Sequence, residues 1–395
     1  MPTPAADAPA LPKPRLSQLV EVTAALAAHA EAHDRTADLP ADGLAIVHDA
    51  GLLTLTVDTR YGGPGGTLAD TVRTLTALGQ GDPSVALISA MTLFAHAAQA
   101  QTNGWPAGLY AEVLAESARR PTLINALRVE PDLGTPARGG LPATTARRTG
   151  AGWEITGHKI FSTGAAGLRW MQVWARTDED PVRAGAFLVR TDSPGITVER
   201  TWDHLGLRAS RSDDVTFDRV AVPADAVLGL GGQDGGAFSP IVSGGGVVGR
   251  GDLRAWNALG IAAIYLGVAY AARDWLTGYL RERVPTNLGK PLASLPRFQS
   301  EVGSIQAALV SAGTLLTTTA ESGDPTHANL AKTVVTNAAI DAVQRAVALI
   351  GNAGLTRRHP LERHLRDVLC GRIHTPQDDV VLGAAGRDLL EGTMR

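Results

Sequence analysis

The chain has 395 residues, with 36 Lys and Arg against 39 Asp and Glu and a formal net charge of -3. That near balance gives no electrostatic case for nucleic acid or a membrane surface. The single cysteine, Cys370, excludes an internal disulfide framework and suits a reducing cytoplasm. The N-terminus lacks a basic end followed by an apolar stretch, so no signal peptide is expected, and the expected location is cytoplasmic.

From Leu16 to about Arg119 the pattern is mostly helical. Leu16, Leu19, Val20, Val22 and Leu26 recur at roughly helical spacing, as do Leu44, Val47 and Leu52. Tyr61 to Gly66 is too glycine-rich for regular structure and predicts a loop. Asp82-Pro83-Ser84 is a helix start signal ahead of an apolar run to His96.

Near Pro121 the texture changes to short β-branched and aromatic runs divided by turn residues. Gly150-Ala151-Gly152 separates Thr144–Arg148 from Trp153–Ile155 and predicts a hairpin. Gly229 to Gly251 predicts a linker or mobile loop. Helical pattern then returns, with candidate helices at Leu253–Arg283, Leu295–Ser322, Thr326–Ile350, Leu361–Ile373 and Gln377–Glu391. The most apolar run, Ala258–Ala272, is shorter than a bilayer span and predicts a buried core helix. The expected class is α+β: a helical unit over 1–120, a compact antiparallel β unit over 121–235, and a helical bundle over 236–395.

Four blocks in this order carry a family resemblance. They are Ala50-Gly51-Leu52 with Tyr61-Gly62-Gly63; Val129-Glu130-Pro131-Asp132-Leu133-Gly134-Thr135; Gly157 to Gly164 with Gly206 to Ser210 and Phe217 to Pro223; and Arg366-Asp367 with His374-Thr375-Pro376-Gln377. Together they resemble the acyl-CoA dehydrogenase superfamily, whose fold has the same helix, β, helix order. The resemblance implies a flavin, FAD or FMN. It assigns flavin contacts to Phe161, Ser162 and Thr163, and places Gly134 and Thr135 near the ribityl and pyrophosphate. Val129 stands where a Thr commonly donates to the flavin. Arg283, Gln299 and Gln377 match positions toward the adenosine end of FAD, with Arg283 reaching it across a subunit interface. Ala348 replaces another FAD-contacting Gln, so that end is only partly kept.

The usual reaction of this superfamily needs a carboxylate base. Its common position, eight residues beyond Asp367, holds Thr375. Its other position, on an earlier helix, holds Asn257. Neither side chain accepts a proton at neutral pH. The chain shares these departures with the branch of flavin-dependent monooxygenases that lack the Glu, which react reduced flavin with oxygen. Those enzymes carry a His at the position of His374, a hydroxyl residue at Thr163 and often a His near His96, which makes these three the candidate catalytic residues.

The expectation is therefore a flavin-dependent oxidoreductase leaning to monooxygenation. An acyl-CoA dehydrogenase with a relocated base, or a non-catalytic flavin-binding protein, are the alternatives. Expected partners are a small-molecule substrate, an acyl-CoA among the options, and a flavin reductase or electron-transfer flavoprotein. The bundle implies a homotetramer or dimer. No Cys/His metal spacing, Walker loop or Rossmann fingerprint is found, and no metal is expected.

Overall fold

The structure is a computed structural model that describes residues 10–133, 140–231 and 253–392. Five helices come first: α1 (Leu19–Thr36), α2 (Ala41–Asp49), α3 (Leu68–Gly81), α4 (Pro83–Thr102) and α5 (Ala107–Ser117). α1 buries Leu19, Val22, Leu26, Ala30 and His33, one stripe at helical spacing. α3 starts with a capping box between Thr67 and Asp70, which satisfies two orphan donors. Asp82 caps α4 by accepting from the Ser84 and Val85 amides, with Pro83 in the first turn.

Eight strands follow: β1 (Leu123–Leu127), β2 (Thr145–Thr149), β3 (Gly152–Ser162), β4 (Leu168–Thr177), β5 (Ala184–Arg190), β6 (Ile196–Glu199), β7 (Asp213–Pro223) and β8 (Val227–Gly231). They form one sheet in the order β6-β7-β3-β2-β4-β5-β8, with β1 also paired to β4. The β2–β3 hairpin forms across Gly150–Gly152, with Thr145 opposite Thr156. Most pairings are antiparallel, but β1 and β2 both run parallel to β4. Sequence pattern could not show this, because parallel neighbours are joined only by distant chain. Of the expected linker, Gly229–Gly231 belong to β8; 232–251 lie outside the described residues.

The C-terminal region comprises α6 (Leu253–Glu282), α7 (Pro296–Ser322), α8 (Pro325–Ile350), α9 (Leu361–Leu369) and α10 (Asp378–Leu390). The expected helix to Ile373 ends earlier, at Leu369, and tightens into a 3-10 turn over Cys370–Arg372. α6 is long and apolar enough to cross a membrane, but here its first half is buried on all sides by protein. It is the axle of the fold, packing on α3, α4, α7, α8 and α9.

The Arg366-Asp367 pair is a clamp. Asp367 Oδ1 accepts the Leu207 amide at 2.7 Å, and Arg366 bonds both Asp34 oxygens, at 2.8 and 2.6 Å, as well as Glu362. It thereby ties α9 to the 202–212 segment and to α1. Gly206 permits the approach, since a Cβ there would lie 2.3 Å from the Arg366 carbonyl oxygen.

A second buried ion pair braces the sheet. Lys159 Nζ and Glu130 Oε1 lie 2.6 Å apart, with Lys159 fully buried. Glu130 also accepts from the Ala143 and Thr144 amides and from the Thr144 hydroxyl. Removing one partner strands the other charge in the core. Glu130→Ala should lower unfolding free energy by about 3 kcal/mol or more in urea titrations, and Glu130→Leu with Lys159→Met should recover much of that loss.

Candidate active site

A cavity of about 670 Å³ opens where the three regions meet. That size suits a small molecule or cofactor ring. Leu87, Met91 and Phe94 of α4 form one wall, and Asn125, Gln172 and Trp174 of the sheet form another. Trp256 and Asn257 come from the start of α6, and His374, Thr375 and Gln377 from the segment after α9.

Phe161 lies at the end of β3 with a φ of 55°, a left-handed conformation, and the residue is 52% exposed. Its edge meets Trp202 at 6.3 Å and His204 at 5.9 Å between ring centroids. Trp202 and His204 stack in parallel, 3.6 Å apart. The Trp202 indole donates to the Leu207 carbonyl, so the Asp367 clamp also fixes this aromatic wall. Thr163 is buried; its hydroxyl pairs with Ser212 at 3.0 Å, and Ser212 pairs with Ser210 at 2.9 Å. Asn125 donates to the Thr163 carbonyl at 2.9 Å.

The structure thus brings Phe161, Thr163, Val129, His374 and Gln377 to one cavity. Ser162 does not line it: its side chain turns into the core, where its hydroxyl has no partner among the described residues. Nor does His96, fully buried on α4 with Nδ1 2.9 Å from the Tyr110 hydroxyl. Helical spacing explains this: Phe94, Ala95 and Ala98 face the cavity and His96 faces α5. Gly134 and Thr135 lie outside the described residues. Arg283 and Gln299 are exposed and away from the cavity. Arg283 is 26 residues beyond Asn257, roughly 39 Å along a helix axis.

His374 is the best-defined polar group. Its Nδ1 bonds the hydroxyl of Tyr265, which is fully buried in α6 and has no other partner among the described residues. Burial pushes the Tyr265 phenol well above its ordinary range, so it stays protonated and must donate. Nδ1 is then the acceptor, and Nε2 carries the hydrogen. Desolvation, reinforced by the nearby Lys332 charge, holds His374 down at about 4. At neutral pH the imidazole is uncharged and presents an N–H donor.

The two positions that could hold a base lie side by side. Asn257 Nδ2 donates to the Thr375 carbonyl at 2.9 Å. Glu130 is the carboxylate among the described lining residues, and Lys159 and Thr144 consume it. Cys370 also lines the cavity, but burial pushes its thiol up to about 12.

Trp202, His204, Trp256, Tyr265 and Gln172 were not singled out from the sequence. The Trp202-Asp203-His204 spacing was a visible aromatic signal; the others carry no local motif. The residues fit a flavin ring. The aromatic wall is flat, Thr163 offers a hydroxyl, and lining residues keep buried polar atoms without partners among the described residues, namely Trp256 Nε1, Thr375 Oγ1 and His204 Nδ1.

Comparison with known proteins agrees with this geometry. Acyl-CoA dehydrogenase N-terminal, middle and C-terminal domain families match residues 20–107, 128–220 and 259–378. The Bacillus subtilis protein YdbM, named among the acyl-CoA dehydrogenases, is 31% identical over 91% of this chain and 92% of its own length. This chain belongs to the acyl-CoA dehydrogenase family. It is a flavin-dependent oxidoreductase of that superfamily. An L-evernosamine nitrososynthase from Micromonospora sp. is 30% identical over 91% of this chain and 85% of its own. A structure of KijD3 with FMN and a dTDP-linked amino sugar superposes with a TM-score of 0.76 at 27% identity, covering 96% of this chain and 93% of that one.

Buried histidines set an acid limit on this member of the family. Desolvation holds His96 at about 4, below its ordinary 6.5. The unfolded chain therefore binds a proton that the folded chain refuses between those values, and stability rises with pH across that window. Fully present above pH ~6.5, this contribution is lost toward pH ~4. His96→Asn should remove up to about 3 kcal/mol of the pH dependence, seen as a smaller difference between urea midpoints at the two ends of the window.

Proposed function

We propose that this acyl-CoA dehydrogenase family member is a flavin-dependent monooxygenase acting on a small molecule rather than a desaturase of acyl-CoA. The carrying observation is that both base positions lack a carboxylate: Asn257 and Thr375 stand there together, with the Asn257 amide donating to the Thr375 backbone carbonyl. When bound, a flavin supplies the redox chemistry, and in its reduced form it reacts with oxygen. Residues of the chain bind and orient. The Trp202, His204 and Phe161 wall and the Thr163 hydroxyl hold the ring. Apolar side chains of α4 exclude water. His374 donates an N–H into the cavity, held in that tautomer by Tyr265.

The same tautomer argues against His374 as a relocated base, because Nδ1 is engaged by Tyr265 and the other ring nitrogen, Nε2, already carries a proton. An open cavity, not plugged by side chains, supports turnover over a scaffold role. FMN is the favoured flavin, since Ala348 stands where the family resemblance places another FAD-contacting Gln and the adenosine end is only partly kept. FAD would need a neighbouring subunit to supply that end. Exposed Val334 on α8 and Leu382, Leu389 and Leu390 on α10 support a homo-oligomer; a cytoplasmic location and a separate reductase supplying reduced flavin complete the proposal.

With reduced FMN and oxygen, a screen of amino sugars and aromatic or sulfur-containing molecules should yield one oxygenated product. Anaerobic addition of an acyl-CoA panel should leave the flavin spectrum unchanged; rapid bleaching by any of them would restore the dehydrogenase reading. His374→Ala should cut product per flavin oxidised by at least about tenfold and release peroxide instead. Tyr265→Phe should do so more mildly, while flavin affinity is kept. Unchanged coupling in both variants would leave His374 a structural residue.

A further inference from the structure

A cluster far in sequence from the cavity residues lies at the junction of α1, α2 and α4. His29 and His33 are one helical turn apart on α1 and so share a face. Asp42, in the first turn of α2, closes on both. Its Oδ2 lies 2.9 Å from His29 Nδ1, and its Oδ1 lies 2.6 Å from His33 Nε2. Ligand atoms of the three residues all fall within 4.8 Å of one another. Among the described residues, no other group of His, Cys, Asp and Glu does so.

We propose that His29, His33 and Asp42 form a binding site for a divalent transition metal of the zinc class. Two imidazoles and one carboxylate are the donor set of such an ion, whereas magnesium and calcium prefer all-oxygen shells. Zinc ligands sit about 2.0–2.1 Å from the metal, which in a tetrahedron sets them roughly 3.4 Å apart. The two carboxylate–imidazole separations, 2.9 and 2.6 Å, open to that spacing around the ion, and the two imidazole ligand atoms lie within 4.8 Å of each other. Three protein ligands leave a fourth position for water. The side chains of His29 and Asp42, 44% and 54% exposed, give the ion a path from solvent.

The second observation is independent of the trio. His33 Nδ1 bonds Asp82 Oδ2 at 2.6 Å, and the Asp82 side chain is only 3% exposed. Asp82 is held in turn by the Ser84 and Val85 amides. A buried carboxylate on the far nitrogen fixes the ring's orientation and strengthens the near nitrogen as a ligand, the outer shell that metal-binding histidines use. On binding, the ion takes the place of the proton that His33 Nε2 shares with Asp42, and that proton goes to solvent. A metal here would tie α1 to α2 and, through Asp82, to the start of α4, whose Leu87 and Met91 line the cavity.

Titration of the chelator-treated, flavin-loaded protein with Co2+ tests this. One equivalent per chain should develop the intense visible bands of low-coordinate cobalt, read as a difference spectrum, and Zn2+ should bleach them. His29→Ala and Asp42→Ala should abolish the bands. Asp82→Asn should keep the stoichiometry but weaken affinity by about ten- to a hundredfold. Zn2+ should also raise the melting temperature of the wild type and not of His29→Ala, a half-exposed substitution that leaves the fold intact by circular dichroism. Cobalt that binds with only the pale spectrum of the hydrated ion, or equally to wild type and His29→Ala, overturns the site.

Discussion

The placement of the cavity walls depends on one carboxylate. Asp367 lies in the interior and accepts the Leu207 amide, while its neighbour Arg366 grips Asp34 of α1. Desolvation pushes the Asp367 carboxyl up to about 7, so its burial is costly and the hydrogen bond offsets part of that cost. From this point the chain runs one way, through the Trp202 indole and the Phe161 edge, to form the aromatic wall. It runs the other way, through the turn after α9, to present His374 and Thr375. The clamp lets two segments about 160 residues apart share one cavity.

The chemical character of that cavity is the lack of a free base among its described lining residues, beside an Arg128 that burial lowers to about 10 and that stays charged. Its carboxylate is paired, its thiol is protonated, and its imidazole is uncharged. Asn257 donates to the Thr375 backbone carbonyl, and neither side chain can abstract a proton at neutral pH. Such a lining can donate hydrogen bonds and exclude water, which suits oxygen chemistry on a reduced cofactor better than proton removal next to a thioester. The family fold supplies the walls, and this chain's side chains decide what they surround.

The ends of α6 divide the labour. Its buried start carries Trp256, Asn257 and Tyr265, all directed to the site. Its far end carries Arg283 in solvent, where only a second chain could bring it to a cofactor. His29, His33 and Asp42 lie on yet another junction and brace the α4 wall from behind. Their helical spacing on α1 is visible in the sequence; the closure of Asp42 and Asp82 on them is not.

Local signals determined much of this protein. Periodicity, capping residues and glycine turns fix the helices, the β2–β3 hairpin and the order of the three regions, because these depend on neighbours in sequence. Spaced motifs marked Phe161, Thr163, Val129, His374 and Gln377, and the missing carboxylates at Asn257 and Thr375. Tertiary structure alone decided the rest. It made β1 and β2 parallel to β4, turned His96 and Ser162 into the core, and joined Tyr265 to His374. Each of these outcomes depends on which face of an element meets a partner distant in the chain, and a sequence pattern carries the faces but not the partner.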